Sequence, residues 1–143
     1  ILVHSESGIV EEGKHATDCN SVLSEVLSNL STSIKESDTS FEIDRLPKVA
    51  VQRLHLIQLF QNLISNAIKY RGDRTPQIAI TAEENATQWL FSVRDNGIGI
   101  DPKYANKIFD MFARLHGKAK YQGTGMGLAI CKRIVTSHGG NIW

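Results

Sequence analysis

The chain has 143 residues, of which 41% are hydrophobic and 22% are charged, a size that fits one compact domain rather than several. Lysine plus arginine number 16 and aspartate plus glutamate 15, and these charges are spread along the chain. There is consequently no argument for binding to nucleic acid or to an anionic membrane. No apolar run is long enough to cross a bilayer and the first residues lack a signal-peptide pattern, so a cytoplasmic location is expected for this region, with anchoring of a parent protein left open.

Two cysteines are present, Cys19 and Cys131, and they are far apart in the chain. Neither lies in a CxxC pair or beside residues with the spacing of zinc ligands. Both are therefore expected to be reduced thiols with a structural role.

The first predicted elements are an arm and a helix. Residues 1–17 show weak hydrophobic periodicity and include two glycines, which predicts an arm outside the domain. The globular domain is then expected over residues 18–143. Its first helix is predicted over 21–36, where apolar residues recur at helical spacing, with Asp18 or Asn20 as the N-cap.

A short strand, a long helix and a hairpin follow in chain order. Residues 41–43 alternate as a strand does, and Pro47 ends it because proline cannot donate to a sheet ladder. Residues 52–70 carry a wide apolar stripe and predict the second helix. Residues 77–83 and 88–95 alternate between apolar and polar side chains, which predicts a β-hairpin.

The last part of the chain contains two further predicted helices. A proline at the first helical position predicts a short helix over 101–112, and a glycine- and lysine-bearing loop at 114–125 leads to a helix over 126–138 that Gly139 terminates. A strand is expected to begin at 141–143. The mixture of helices with a hairpin predicts an α+β sandwich, with helices on one face of a mixed sheet.

The second helix carries a polar group of residues. Asn62, Asn66 and Lys69 recur at helical spacing and project from one face. Amide oxygens suit Mg²⁺, which accepts one or two protein oxygens beside waters and phosphates, and a lysine one turn away can meet phosphate charge. The alternative is that these residues form the solvated face of an amphipathic helix. Three polar residues at this spacing, taken without other evidence, favour that alternative.

A second group of candidate site residues, Asp95, Gly97 and Gly99, lies at the end of the hairpin. Glycines let the backbone pass close to a flat ligand, and a carboxylate at a strand end can accept a hydrogen bond from an exocyclic amine such as that of adenine. The alternative is an ordinary Asn-Gly turn.

A third segment has Phe109 and Phe112 three residues apart, with Arg114 two residues later. Taken alone, it is typical of a core-facing helix end with a solvent-exposed arginine.

The fourth segment is glycine-rich and stands immediately before the last predicted helix. Residues 123–128 read Gly-Thr-Gly-Met-Gly-Leu, and free backbone N–H groups at a helix N-terminus form a site for phosphates. The segment fits neither the Walker pattern nor GxGxxG.

Taken in order, the segments 62–70, 95–100, 108–114 and 123–129 resemble the N, G1, F and G2 boxes of the histidine-kinase catalytic domain. That domain belongs to the ATP-binding superfamily of DNA gyrase, heat-shock chaperones, histidine kinases and MutL. Each segment alone is a weak signal, but four in this order are specific. The resemblance covers about residues 18–143 and implies a two-layer, Bergerat-type fold that binds ATP with Mg²⁺ and lacks its last strand or strands.

For the metal and phosphates, the resemblance implies that Asn66 is the Mg²⁺ ligand and that Asn62 lines the same pocket. Lys69 and Tyr70 would lie near the phosphates. Arg114 would reach the γ-phosphate from a mobile lid at about 114–124, whose composition is compatible with mobility.

For the base, the resemblance implies that Asp95 binds the adenine amine. Gly97 and Gly99 would shape the pocket and Ile100 would cover the ring. Residues of the fourth segment would close over the phosphates and base: Gly123, Thr124, Gly125, Gly127 and Leu128.

One position separates branches of the superfamily. Gyrase-type hydrolases carry a glutamate at the place of Asn62, where it activates water, and an amide cannot take that proton at neutral pH. Slow ATP hydrolysis and transfer of the γ-phosphate to a protein are therefore expected.

The resemblance implies partners as well. No histidine of the chain has the flanking residues of a phosphoacceptor, so the acceptor is expected on a separate dimerisation domain, with a response-regulator receiver domain downstream. In the family the dimerisation domain is a dimerising helix hairpin, which the arm over residues 1–17 is expected to follow. The fragment is therefore expected to be monomeric and its parent a homodimer. A serine kinase of the anti-sigma-factor type and a catalytically silent nucleotide-binding module remain alternatives.

Overall fold

A computed structural model of the chain describes residues 2–5, 16–85, 88–97 and 127–142. The predicted helix over 101–112 and the predicted lid at about 114–124 lie outside the described residues. In chain order the elements are β1 (Leu2–Ser5), β2 (Thr17–Asp18), α1 (Cys19–Asn29), α2 (Ser31–Ser37), β3 (Ser40–Ile43), β4 (Lys48–Val49), α3 (Arg53–Lys69), β5 (Gln77–Asn85), β6 (Gln88–Asp95), α4 (Gly127–Ser137) and β7 (Asn141–Ile142).

Within the described residues, the main sheet is mixed and has five strands in the order β3-β5-β6-β1-β7. β3 and β5 run parallel, while β5 and β6 form the antiparallel hairpin that the sequence predicts. β1 runs antiparallel to both of its neighbours. A separate two-stranded ladder pairs β2 with β4, with Thr17 opposite Val49.

The sequence predicts an arm over residues 1–17, but the structure ties both ends of this stretch to the domain. The backbone of Leu2–Ser5 pairs with β6 and β7, so these residues belong to the sheet. Thr17 also belongs to the domain, because its hydroxyl donates to the carbonyl oxygen of Val51 at 2.6 Å. The partners of both segments are distant in sequence, and local periodicity carries no information about such pairing.

The first predicted helix is two helices in the structure. The chain leaves helical geometry at Leu30, where φ is −97° and ψ is 12°, and α2 then ends at Asp38 in the left-handed region with φ 55°. The N-cap of α1 is Asp18, whose carboxylate accepts a 2.9 Å hydrogen bond from the Asn20 N–H. Hydrogen bonds from the Asn20 side chain and backbone hold the pKa of Asp18 below its usual value.

The core lies between the helices and one face of the sheet. Ile78 and Ile80 on β5 are buried, and Val93 lies directly opposite Ile80 on β6. Phe60 of α3 meets Phe91 of β6 edge to face, with ring centroids 6.0 Å apart. The helices contribute further buried residues to this cluster, among them Val22, Val26, Leu56, Leu63, Ile64, Cys131 and Val135. The predicted α+β sandwich, with helices on one face of a mixed sheet, is confirmed.

Both cysteines are free and buried, as predicted. Burial raises the pKa of the Cys19 and Cys131 thiols to about 12, so both stay protonated at neutral pH. Among the described residues, no helix combines the length and apolar character needed to span a membrane.

Candidate functional site

The polar face of α3 meets the start of α4. Asn62 and Asn66 are half-buried, whereas Leu63 and Ile64 between them are buried in the core. A Cβ atom placed on Gly127 would lie 3.5 Å from Asn62 Oδ1 and 3.7 Å from Asn66 Nδ2. Both amides therefore face the first turn of α4, a contact that a purely solvated helix face would not make.

The start of α4 also supplies backbone donors. Its first described residue is Gly127, and the first N–H groups of an α-helix have no partner within the helix. These N–H groups and the helix dipole favour negative charge at this end. Two amide side chains and a helix N-terminus thus come together at one place.

The end of β6 approaches the end of α3. Asp95 Oδ1 accepts a 2.8 Å hydrogen bond from the Gly97 N–H, which turns the chain away from the strand. A Cβ atom on Gly97 would lie only 2.5 Å from the carbonyl oxygen of Tyr70, the residue that follows α3. The φ angle of Gly97 is not in the left-handed region, so backbone conformation does not require glycine here. The close approach of the Tyr70 backbone does, because it leaves no room for a side chain.

Lys69 and Tyr70 occupy the same end of α3. The Lys69 ammonium lies 5.8 Å from the centroid of the Tyr70 ring, within the range of a cation–π contact. Both residues are half-buried. The Lys69 side chain therefore lies against the ring of its neighbour at the C-terminal end of α3.

Asn96, between those two residues, is not singled out by the sequence. Its side chain bonds to the backbone of the α3–β5 connection, accepting from the Gln77 N–H at 2.9 Å and donating to the carbonyl oxygen of Thr75 at 3.1 Å. The only sequence signal is its place after a strand and before a glycine, which is equally typical of an ordinary turn.

The structure thus brings together Asn62, Asn66 and Gly127 at one place, and Tyr70, Asp95 and Gly97 at another. Leu128 is half-buried and packs against the hydrophobic core. The remaining predicted site residues lie outside the described part of the chain: Gly99, Ile100, Arg114, Gly123, Thr124 and Gly125.

This arrangement can be compared with known proteins. The sequence profile of the family described as histidine kinase-, DNA gyrase B- and HSP90-like ATPase matches residues 51–143, which include both groups of site residues. The chain belongs to this ATPase family. The predicted membership of the gyrase, chaperone and histidine-kinase superfamily is therefore confirmed.

Individual relatives of this ATPase domain agree with the assignment. Cyanobacterial phytochrome A of Nostoc sp. is 52% identical over 143 residues, which are 100% of this chain and 19% of that protein. The catalytic domain of histidine kinase ThkA superimposes with a TM-score of 0.75 and 32% identity, covering 90% of this chain and 84% of that one. A structure of ThkA in complex with the response regulator protein TrrA superimposes with a TM-score of 0.67 and 28% identity, covering 90% of this chain and 36% of that one.

The ATPase domain spans less than a fifth of the length of the first three curated relatives, at 19%, 17% and 19%. It corresponds to the catalytic part of histidine kinases, which is the portion present in the ThkA catalytic-domain structure. Nucleotide binding is the property that the family description assigns to this portion.

Proposed function

We propose that this domain binds Mg²⁺-ATP and donates the γ-phosphate to a histidine on an adjoining dimerisation domain, as part of two-component signal transduction. The observation that carries the proposal is the meeting of the Asn62 and Asn66 amides with the start of α4 at Gly127. Membership of the ATPase family and the likeness to a histidine-kinase catalytic domain support it.

The phosphates and metal belong at the α3–α4 contact. Neutral amide oxygens suit Mg²⁺, which takes few protein ligands and keeps waters and phosphate oxygens around it. Asn66 would hold the ion and Asn62 would line the same pocket. The N–H groups at the start of α4, together with Lys69, favour the negative charge of the phosphates. The bound ion supplies charge neutralisation of the transferring group.

The base belongs at the end of β6. Asp95 is exposed and lies where the strand stops, so its carboxylate can accept a hydrogen bond from the adenine amine. Gly97 brings no side chain into this space, and its close approach to Tyr70 joins the base end of the site to the phosphate end. The rest of the site is proposed from the resemblance alone. Gly99 and Ile100 would lie at the base, and a lid at about 114–124 would bring Arg114 to the γ-phosphate.

Transfer to a protein is favoured over hydrolysis by the nature of Asn62. Its amide cannot act as a general base towards water at neutral pH. Phosphoryl transfer needs positioning and charge neutralisation more than proton abstraction, and both are supplied by groups that hold the nucleotide.

The proposed partners follow from the same comparison. The ThkA complex contains the response regulator TrrA, and we infer that a receiver domain accepts the phosphate downstream of this domain as well. The acceptor histidine would lie on a dimerisation domain, which makes the parent a homodimer and this domain by itself a monomer.

Isothermal titration with ADP and Mg²⁺ tests the binding step. The wild-type domain should bind, Asp95→Ala should lose most of the affinity, and Asp44→Ala should bind as the wild type does. Asp44 is a suitable control because it is an exposed aspartate between β3 and β4. A wild-type domain that does not bind, or an Asp95→Ala variant that binds equally well, would refute the proposed site.

Phosphotransfer is tested with the complete parent protein and ATP labelled at the γ-phosphate. The expected product is a phosphohistidine, which is labile in acid and stable in base. An acid-stable label would indicate a serine kinase instead. Normal nucleotide binding without any label would indicate a catalytically silent module.

A further inference from the structure

We propose that Asn96 is a positioning residue that fixes the base end of the site relative to the phosphate end. This inference rests on the proposed nucleotide function and adds a residue to it. Asn96 stands between Asp95 and Gly97, yet its side chain is committed to the chain segment that connects α3 to β5.

Three hydrogen bonds tie Asn96 to that connection. Its Oδ1 accepts from the Gln77 N–H at 2.9 Å, and its Nδ2 donates to the Thr75 carbonyl oxygen at 3.1 Å. Its backbone carbonyl oxygen accepts a hydrogen bond from Arg74 Nη1 at 3.0 Å. The amide of one side chain thus satisfies a backbone donor and a backbone acceptor two residues apart, a pattern that a shorter side chain cannot reproduce.

The connection begins where the phosphate end of the site stops. Tyr70 caps α3, and its N–H donates to the Asn66 carbonyl oxygen at 2.9 Å. The Tyr70 carbonyl in turn lies against Gly97. The segment from Tyr70 to Gln77 is therefore fixed to the β6 end at two places, by the Tyr70–Gly97 approach at its start and by Asn96 near its finish.

Asn96→Ala removes the two side-chain bonds, so among the described residues the Tyr70–Gly97 approach, the Arg74 bond to the backbone carbonyl at position 96 and strand pairing remain to set the distance between the two ends of the site. A nucleotide spans both ends, so its affinity depends on their separation being set before it binds. The two side-chain bonds of Asn96 lie at the exposed surface, where they contribute little to burial. Their contribution is thus expected to fall on site geometry more than on global stability.

The chain contains a matched control for this type of clamp. Asn20 makes the same pair of bonds with Leu46, accepting from its N–H at 2.8 Å and donating to its carbonyl oxygen at 2.7 Å. Asn20 lies at the start of α1 and is tied to the stretch between β3 and β4, which carries none of the proposed site residues. Loss of the Asn20 side chain removes the same two types of bond away from the proposed site, together with a 2.9 Å bond that its Nδ2 donates to Asp18 Oδ1.

The experiment compares Asn96→Ala with Asn20→Ala. Thermal unfolding gives the Tm of each variant without ligand, and isothermal titration with ADP and Mg²⁺ well below that Tm gives the affinity of folded protein. Asn96→Ala is expected to weaken ADP binding by about threefold to tenfold, the range for losing one or two modest hydrogen bonds. Asn20→Ala is expected to lower Tm without changing ADP affinity.

Hydrogen exchange on the wild-type domain provides a second measurement that requires no variant to fold. ADP with Mg²⁺ should increase protection of the Gln77 amide, which Asn96 holds, more than that of the Leu46 amide, which Asn20 holds. Unchanged ADP affinity in a folded Asn96→Ala, an equal loss in Asn20→Ala, or equal protection of the two amides would overturn the positioning role. A wild type that fails to bind ADP would instead refute the proposed function.

Discussion

Gly97→Ala tests the close approach between the end of β6 and the end of α3. The added Cβ would lie 2.5 Å from the Tyr70 carbonyl oxygen, 2.9 Å from Asp95 Oδ1 and 3.3 Å from the Tyr70 carbonyl carbon. A flexible side chain could move away at little cost, but two of these three atoms are backbone. The substitution therefore forces a shift of the main chain at the proposed site.

The size of the effect depends on how firmly Tyr70 is held. Its N–H donates to the Asn66 carbonyl oxygen at 2.9 Å in the last turn of α3, so moving its carbonyl strains that turn. Forcing one extra carbon into a closely packed place costs about 1–3 kcal/mol. We expect the free energy of unfolding to fall by about this amount, and ADP affinity to fall with it because Asp95 is displaced.

The matched control is Gly127→Ala, measured by urea unfolding alongside Gly97→Ala. A Cβ on Gly127 would have its nearest neighbours at 3.5 and 3.7 Å, which is ordinary van der Waals contact. Gly127 is the first residue of α4, where the helix-interior preference for alanine does not apply, so the free energy of unfolding should change by less than about 0.5 kcal/mol. A Gly97→Ala domain as stable as the wild type, or equal destabilisation by both variants, would contradict this reasoning.

Three further outcomes are expected. Phe60→Ala should lower the free energy of unfolding by about 3–5 kcal/mol in urea titrations, because the ring is 2% exposed and packs on Phe91; a loss below about 1 kcal/mol would contradict the described core. With pKa values of about 12, the thiols of Cys19 and Cys131 should resist alkylation at pH 8 in the native domain and react after unfolding, as followed by mass spectrometry. Asp18→Ala should lower Tm at pH 7, and the difference in Tm from the wild type should shrink in acid. The pKa of the Asp18 carboxyl is lowered in the folded state. The stability it contributes is therefore present above the unfolded-state pKa and is lost as the pH falls through the folded-state pKa.

The elements that the sequence predicts well are those with a strong local pattern. The sequence predicts α3 over 52–70 and the structure has it at Arg53–Lys69, because its apolar stripe coincides with the residues that the core buries. The β5–β6 hairpin follows from two neighbouring runs with apolar residues at every second position, Ile78 and Ile80 in one and Phe91 and Val93 in the other. In both cases the apolar pattern that favours the local structure also places the apolar side chains in the core, so local preference and tertiary packing agree.

Features set by distant partners could not be predicted in this way. Apolar spacing continues through Leu30, so periodicity does not show where α1 ends and α2 begins. The pairing of Leu2–Ser5 depends on strands far along the chain. At the candidate site, the resemblance singles out Asp95 and Gly97 but not Asn96, whose bonds to Thr75 and Gln77 exist only after folding.

The two-sided character of α3 has a consequence for how such a domain can diversify. Leu63 and Ile64 face the core while Asn62 and Asn66 face the start of α4, and each residue added to a helix rotates the following side chains by about 100°. Insertion or deletion of one residue in this helix would therefore rotate the following side chains out of both contacts and disrupt both faces. Single substitutions at position 62 or 66 would alter only the face towards α4 and leave Leu63 and Ile64 in the core, so that face can vary without redesign of the scaffold.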